Sequence, residues 1–571
     1  MEQTEKKIKI YKKVLILTSI IIVLLISIIF ITPLKEELPI INNLKPNKFV
    51  YLASESSEVV VYNSDYSPEM TLIRGVKVEL LNETIKNSET DIEYSKIKHD
   101  KKIYLIDKKN YTNDENTVVK EKIMYVRTPI TVYKDYDSIE IVTHIKKGEK
   151  IDIIGYDYIK DNGAVNMYKI SYNDYIGFAY SKYLVANHEE SIMNYDEENT
   201  YKTHLERKNT LGGGSAGNLD YFPVSKPQFD KNIMPTEVRS LYLNAVAIKS
   251  VDKYISFAKE NNINAFVVDI KDNTMPAYKS EVMRKYSPTN YNNAHDSFEN
   301  YKSNIRKLID KGFYVIGRIT VFKDNYYAKD HPENAIKDTR TNQAFNHDNS
   351  YWPSAFKRDV WEFNVALAIE AVTDIGFNEI QFDYIRFPDR TYNLEKAGHM
   401  DFQNDFNEDK AQAIQNFLFY ATDKIHEVGA YVSADVFGES AHNYVTGYGQ
   451  YWAAISNVVD VISGMPYPDH FSKHDYNFEE VVWTVPYKLL NHWGGYVNRH
   501  QSLIKTPAIV RTWIQCYNTG KNPSVIYDAS KISEQIQGLY DAGLTGGYMT
   551  WNSASSLDKY MEVSAAFKKE Y

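Results

Sequence analysis

Short apolar runs alternate with helix-length amphipathic segments in the C-terminal part of the chain. This alternation predicts parallel strands joined by crossover helices. Eight strands are predicted, beginning at Val238, Ala265, Phe313, Glu379, Ala430, Val459, Pro507 and Gly546. Helices are predicted over 250–261, 298–311, 355–375 and 409–427. Eight units in 236–571 favour an α/β fold, a (β/α)8 TIM barrel, over a doubly wound open sheet, because no glycine-rich phosphate loop follows the first strand.

A different pattern precedes the barrel. Short Val-, Ile- and Tyr-rich runs separated by turn residues are typical of small all-β modules. The series over 118–187, ending in Tyr175-Ile176-Gly177-Phe178-Ala179, resembles bacterial SH3-like domains, and 47–115 reads as a weaker copy. The resemblance implies docking on a cell-wall peptide or glycan, or a spacer role.

The N-terminus carries the pattern of a membrane anchor. A basic tail over 1–13 precedes Val14–Thr32, an uncharged apolar stretch that would span about 28 Å as a helix. It is longer than a signal-peptide core and has no small-residue cleavage site. By the positive-inside rule we expect a single-pass helix over 14–32, a cytoplasmic N-terminus and an extracellular remainder.

Composition narrows the remaining possibilities. Residues 188–235 contain an acidic run, a Gly-rich stretch and scattered prolines, which predicts a linker. A net charge of -9 argues against nucleic acid as a partner. The single cysteine, Cys516, excludes an intramolecular disulfide. Metal-ligand spacings such as H-E-x-x-H are missing from the sequence, so we predict no metal and no cofactor.

Polar residues at the predicted strand ends are the candidate functional residues, because active sites of such barrels lie at the C-terminal ends of the strands. The most demanding position is Asp383, whose neighbours in EIQFDYIRFP are apolar. We expect Arg318 and Arg386 to keep it ionised, as a nucleophile must be. A structural salt bridge is the alternative. The predicted substrate-binding residues are Asp269, Asp272, Arg318, Arg386, Tyr467, Asp469, Arg511, Trp513 and Trp551.

Glycoside hydrolysis needs a second carboxyl group close to the first. Asp435, at the end of the neighbouring predicted strand, is the first candidate for the acid. Glu439 is the second candidate and Asp469 the third, and the sequence alone does not choose between them.

Several strings in this order resemble the glycosyl hydrolase-like domain family of bacterial envelope proteins. They are NAFVVDIKDN, YVIGRITVFKDN, FNEIQFDYIRFPDR, VSADVFG, VDVISGMPYPDHF, RTWIQCY and GGYMTWNSAS. The resemblance implies a TIM barrel that acts on O-glycosidic bonds, with Asp383 in the nucleophile position. Asp435 stands where amylase-like enzymes carry a glutamate, so the identity of the acid stays open, and an acid on strand six would be Asp469.

Two functional hypotheses follow. The first is a membrane-anchored, extracytoplasmic glycoside hydrolase acting on an envelope or extracellular polysaccharide through a two-carboxylate mechanism. The second is a non-catalytic barrel that binds carbohydrate and docks on the wall together with the SH3-like modules.

Overall fold

The computed structural model describes residues 48–193, 195, 200–202, 204 and 212–571. The predicted basic tail (1–13) and membrane helix (14–32) lie outside these residues. In the part of the chain that is described, no helix combines the length and apolar character needed to cross a membrane. The described chain forms two compact units, one up to Val119 together with 161–163, and one made of 120–160 and 164–571.

The first unit contains an antiparallel seven-stranded sheet. Its strands are Lys48–Leu52, Glu58–Tyr62, Pro68–Ile73, Lys77–Lys86, Glu93–His99, Lys102–Asp107 and Tyr111–Thr112. Their order in the sheet is third, second, sixth, fifth, fourth, first and seventh. Alternate residues such as Val50 and Leu52, or Val59 and Val61, are fully buried in one core. This alternation is what a strand with one buried face requires.

A second all-β module follows and shares this topology. Its strands are Ile123–Val126, Ile130–Tyr133, Ile141–Ile145, Lys150–Tyr156, Met167–Tyr172, Tyr175–Tyr180 and Leu184–Val185. They occur in the same order as in the first module, from the third strand through to the seventh. Identical strand order in consecutive modules is what an internal repeat produces.

This second module packs on the helices of the barrel and belongs to the same compact unit. The ring of Tyr133 stacks on Tyr420 with centroids 6.0 Å apart. Asp423 accepts hydrogen bonds from Lys182 Nζ at 2.6 Å and from the Tyr183 hydroxyl at 2.9 Å. These contacts hold the module against the helix Lys410–Glu427.

Part of the segment predicted as a linker is packed on the barrel. Leu219 and Tyr221 are buried in one cluster with Val445. Gly213 approaches the chain so closely that a Cβ there would lie 1.9 Å from the Thr446 carbonyl oxygen. Its glycines therefore serve close packing as well as chain flexibility, a distinction that composition does not make.

The barrel strands are parallel and occur where the apolar runs predict them. Strands one to eight are Val238–Leu243, Ala265–Asp272, Tyr314–Thr320, Glu379–Asp383, Tyr431–Phe437, Val461–Met465, Ile509–Gln515 with a break at Arg511, and Gly547–Trp551. Strand eight pairs with strand one, and the two halves of strand seven pair with strands six and eight, respectively. The sheet is thus a nearly closed parallel barrel, consistent with the predicted TIM barrel.

Helices connect the strands on the outside of the barrel. The longer ones are Val251–Glu260, Phe298–Asp310, Arg358–Glu370, Lys410–Glu427, Pro486–Gln501 and Ala529–Asp541. Shorter helices between the strands are Glu281–Tyr286, Pro288–Asn292, Asn325–Asp330, Tyr392–Lys396 and Trp452–Val458. Leu557–Glu562 and Ser564–Lys568 follow strand eight, and His188–Ile192 follows the second all-β module. Gly376 follows a terminal π-turn in the left-handed conformation, φ 105°, which favours glycine at a helix end.

Side chains of alternate strand residues fill the barrel. In strand four, Glu379, Gln381 and Asp383 share the inner face, because successive side chains of a strand point to opposite sides. The inner layers contain a buried cluster with Tyr314, Tyr431, Trp513 and Met549, together with the buried Arg511–Glu379 ion pair. The last inward position of each strand therefore forms the top of the filled barrel, at the C-terminal face.

Candidate active site

Three aspartates and one arginine occupy inward positions in the C-terminal halves of strands two to five. Asp269, Arg318, Asp383 and Asp435 are all buried. We call this group the carboxylate cluster. It consists entirely of residues predicted from the sequence, and the parallel register brings them to one end of the barrel.

Arg318 is the centre of the carboxylate cluster. Its Nε and Nη2 donate to Asp383 Oδ2 at 3.1 and 2.6 Å, and its Nη1 donates to Asp269 Oδ1 at 2.8 Å. Burial alone would lower the pKa of Arg318, but the two carboxylates raise it well above its usual value. The guanidinium is therefore a permanent positive charge between two acids.

Asp383 accepts donors at both carboxyl oxygens. Besides Arg318 at Oδ2, the backbone N–H of Tyr384 donates to Oδ1 at 2.6 Å. Tyr384 has φ 52°, a left-handed conformation that costs free energy in a residue other than glycine and often marks functional sites. Both carboxyl oxygens of Asp383 are thus held by donors from the protein.

Asp435 has the opposite environment. It is 1% exposed, and burial raises its pKa well above the usual value, with the nearby Asp383 charge raising it further. Its Oδ1 accepts from the Trp513 indole N–H at 2.8 Å. Its Oδ2 is buried without a hydrogen-bond partner among the described residues. Burial therefore favours the protonated form of Asp435.

Strand register places Asp435 beside Asp383. Phe382 pairs with Ala434 on the adjacent parallel strand, so the next residues of the two strands are neighbours. Adjacent strands lie about 4.8 Å apart, and aligned residues of parallel strands point to the same side. Two carboxyl groups thus stand side by side, one bonded to Arg318 and the other buried with one oxygen unbonded among the described residues.

Asp269 is the member of the cluster that links Arg318 to strand one. It accepts hydrogen bonds from Arg318 and from the Tyr242 hydroxyl, and it is 1% exposed. Burial raises its pKa to about 6 in spite of Arg318, which acts in the opposite direction. Because Asp269 is buried and bonds to Arg318, its carboxyl group is not exposed to solvent. Asp272 lies 4.0 Å from Arg318, and its side chain is 31% exposed, so it is the accessible acid of strand two.

Sequence reasoning missed Tyr242 and the role of Trp513. Tyr242 is the last inward residue of strand one, and its phenol holds Asp269. Strand alternation counted from Val238 could have identified it. Trp513, predicted as a sugar platform, is 1% exposed and instead positions Asp435.

Two predicted cations, Arg386 and Arg511, bond to acids that are not members of the carboxylate cluster. Arg386 was expected beside Asp383, but its guanidinium bonds to Asp389 and lies 4.4 Å from the Phe437 ring centroid. Arg511 is fully buried and pairs with Glu379 at 2.8 and 2.9 Å. Glu379 is the first residue of strand four, so this pair lies at the N-terminal end, opposite the cluster.

The other predicted residues surround the cluster. Trp551 is partly exposed and lies 5.3 Å from the Arg318 guanidinium, ring centroid to Cζ. Tyr467 is buried, and its ring contacts Trp551 and His470. Asp469 accepts from the Tyr517 hydroxyl at 2.8 Å. Glu439 accepts from two tyrosine hydroxyls at 2.9 and 3.0 Å.

A cavity of about 970 Å³ opens on the same face, beside the cluster. It is lined by loops after strands four, five and six and by the helix Pro486–Gln501. Asp383 does not line it, but Phe437 does, and Phe437 is two residues beyond Asp435. Arg386 lies between Tyr384 and Phe437, and so connects the residue after Asp383 to a lining residue of the cavity. We call this cavity the side cleft.

A nearly closed parallel barrel with acids gathered at the C-terminal ends of its strands has the architecture of a barrel enzyme. Residues 240–557, more than half of the chain, match the family described as "Putative glycosyl hydrolase domain". The chain belongs to this family of glycoside hydrolases. The resemblance read from the strand motifs is thereby confirmed.

Solved structures give further likenesses. A hypothetical protein from Ruminiclostridium thermocellum is 31% identical, with 34% of this chain and 97% of that one covered and a TM-score of 0.29. The PgaB (BpsB) glycoside hydrolase domain from Bordetella bronchiseptica is 12% identical, with 60% and 100% covered and a TM-score of 0.40. Flavobacterium johnsoniae chitobiase is 10% identical, with 58% and 47% covered and a TM-score of 0.36. These TM-scores are low and carry no functional conclusion. A search of curated proteins found no match.

Proposed function

We propose that this chain hydrolyses O-glycosidic bonds of a polysaccharide, with Asp383 as nucleophile and Asp435 as general acid. The observation that carries the proposal is the pairing of two neighbouring carboxyl groups in unlike environments. Asp383 bonds to the Arg318 guanidinium, whereas Asp435 is buried and its pKa is raised by that burial. Environments that push two acids apart in this way define the acid and base of glycosidases.

The reaction follows from these two roles. The Asp383 carboxylate attacks the anomeric carbon while the bond to the leaving oxygen breaks, and the proton of Asp435 moves to that oxygen. Water then attacks the glycosyl ester, Asp435 takes up a proton from the water, and Asp383 is released as a carboxylate. Groups on adjacent strands match the separation of about 5–5.5 Å of retaining enzymes better than the 6.5–9.5 Å of inverting ones.

Asp435 is favoured over Glu439 and Asp469 as the acid. Its Oδ2 has no hydrogen-bond partner among the described residues, and a buried orphan oxygen is stabilised by a ligand that bonds to it. Both oxygens of Glu439 accept from tyrosine hydroxyls, and Asp469 accepts from Tyr517. The unbonded Oδ2 thus distinguishes Asp435 from two acids that already accept hydrogen bonds from tyrosine hydroxyls.

The proposed location is the cell membrane, with a cytoplasmic N-terminus and the barrel outside. The apolar stretch 14–32 and its basic flank support this orientation. The substrate is then an envelope or extracellular polysaccharide, and the SH3-like modules hold the barrel near the wall. Protease added to intact cells tests the orientation: the barrel is expected to be digested, and its survival beside a digested surface protein would contradict the proposal.

Release of reducing ends from purified wall and capsular glycans tests the activity. The wild-type chain, solubilised in detergent, is compared with Asp383→Asn, which keeps the size and polarity of the side chain. We expect the wild type to release reducing ends from at least one glycan, and the variant to bind that glycan without releasing any. If the wild type binds glycans and cleaves none, the barrel is a carbohydrate-binding module instead.

A further inference from the structure

We propose that the side cleft is a binding subsite for several consecutive sugars of an uncharged or amino-sugar chain, next to the bond that is cleaved. This inference rests on the proposed function and names the class of its substrate. The size, wall chemistry and charge of the side cleft carry the argument.

Size favours a chain over a single sugar. Binding pockets for small molecules measure about 300–1,000 Å³, and the side cleft, at about 970 Å³, lies at the upper end of that range. Phe437 and Met465, which pair across strands five and six, line the part of the cleft nearest to Asp435. A glycan whose scissile bond lies at Asp383 therefore has room for neighbouring units in the side cleft.

The outer wall contains two partly exposed tyrosines. Tyr476 and Tyr496 stack with centroids 5.5 Å apart, and both are partly exposed. Tyr476 has φ 60°, a left-handed conformation that is disfavoured for a tyrosine and that the surrounding loop must hold in place. Tyr476 and the Arg499 guanidinium, 4.1 Å from the ring centroid, pack on the faces of Tyr496, so the exposed edges and hydroxyls of the two tyrosines are what a sugar contacts. Nearby carboxylates accept hydrogen bonds from sugar hydroxyls.

Charge disfavours polyanionic chains. The charged side chains that line the side cleft are Asp389, Glu395, Glu439 and Asp475, with one guanidinium from Arg390. Lys410 pairs with Glu395 at 2.8 Å, and Arg386 pairs with Asp389 at 3.1 Å. Burial lowers the pKa of His470, another lining residue, so this imidazole adds no positive charge at pH 7. The cleft is thus mildly acidic, which repels uronic acids and tolerates ammonium groups.

Calorimetric titration of the full-length Asp383→Asn chain tests the proposal without turnover. The probes are hexamers of glucose, N-acetylglucosamine, glucosamine and galacturonic acid. We expect at least one of the first three to bind, and the galacturonate hexamer to bind at least about tenfold more weakly. Equal or tighter binding of galacturonate, or binding of none of the four, overturns the inference.

Variants place the binding in the side cleft. Adding Tyr476→Ala or Tyr496→Ala is expected to weaken the bound hexamer about tenfold, as loss of an aromatic anchor does, and Tyr476→Phe is expected to retain it. Tyr487→Ala is the matched control, because Tyr487 is 41% exposed on the same helix as Tyr496 but does not line the cleft. Unchanged binding in both alanine variants, with melting temperatures like the control, overturns the inference.

The two proposals fail separately. If hexamers bind through Tyr476 and the wild type cleaves no glycan, the proposed hydrolysis fails and the subsite stands. If the wild type cleaves a glycan and neither alanine variant changes binding, the subsite alone fails.

Discussion

Replacing Arg318 by methionine tests the electrostatic design of the site. The substitution removes three hydrogen bonds, two to Asp383 and one to Asp269, and leaves two buried carboxyl groups without their cation. Breaking a buried ion pair costs about 3–5 kcal/mol. We therefore expect Arg318→Met to lower the free energy of unfolding by at least about 3 kcal/mol, and to abolish hydrolysis even where the protein is folded.

Arg511→Met is the matched control. Arg511 is equally buried and loses one partner, Glu379, at the opposite end of the barrel. We expect a similar or smaller loss of stability with hydrolysis retained. Adding Asp269→Asn to Arg318→Met is expected to restore about 1–3 kcal/mol, because one carboxyl group less is left unpaired.

Urea unfolding followed by tryptophan fluorescence measures these differences, since all seven tryptophans of the chain lie in the barrel. Activity is measured well below each melting temperature. The reasoning is refuted if Arg318→Met unfolds within about 1 kcal/mol of the wild type, or if it still hydrolyses glycan.

Three further predictions follow from the structure. Burial raises the pKa of Asp269 from 3.8 to about 6, so its contribution to the free energy of unfolding is fully present below about pH 4 and is lost as pH rises through 6. In urea unfolding, Asp269→Asn is expected to remove about 3 kcal/mol of this pH dependence of the free energy of unfolding. Trp513→Phe removes a hydrogen bond that lowers the pKa of Asp435, so the alkaline limb of the pH–rate profile is expected to move upwards; an unmoved limb contradicts the assignment of Asp435 as acid. Tyr133→Ala is expected to destabilise the barrel by about 3–5 kcal/mol in thermal unfolding, because Tyr133 is buried against Tyr420; unchanged stability would mean that the second module does not support the barrel.

The positions of the strands and of Asp383 were predictable because they depend on local periodicity. Apolar runs identify strands, and an acid at the C-terminal end of a barrel strand must face the shared pocket. Arg318 precedes the end of its strand by two residues, so the same alternation that buries Ile316 points it inward.

Other features depend on contacts that the sequence does not encode locally. Arg386 follows Tyr384, whose left-handed conformation redirects the chain, so strand alternation no longer predicts its direction. Arg511 faces inward, but it lies near the N-terminal end of the barrel and not at the C-terminal end where it was predicted. Its position along the barrel axis depends on the register between strands distant in sequence. The choice of acid needed the environment of Asp435, which comes from Trp513 on another strand.

The most direct test of the central claim compares two substrates of the same sugar. The wild type, Asp383→Asn and Asp435→Asn are assayed on a polysaccharide that the wild type cleaves and on the dinitrophenyl glycoside of its sugar, whose leaving group needs no proton. Asp383→Asn is expected to cleave neither. Asp435→Asn is expected to lose about 10²–10⁴-fold on the polysaccharide and to retain its first step, release of dinitrophenolate. Wild-type rates for Asp435→Asn on the polysaccharide, or cleavage of either substrate by Asp383→Asn, would contradict the assignment of these two residues.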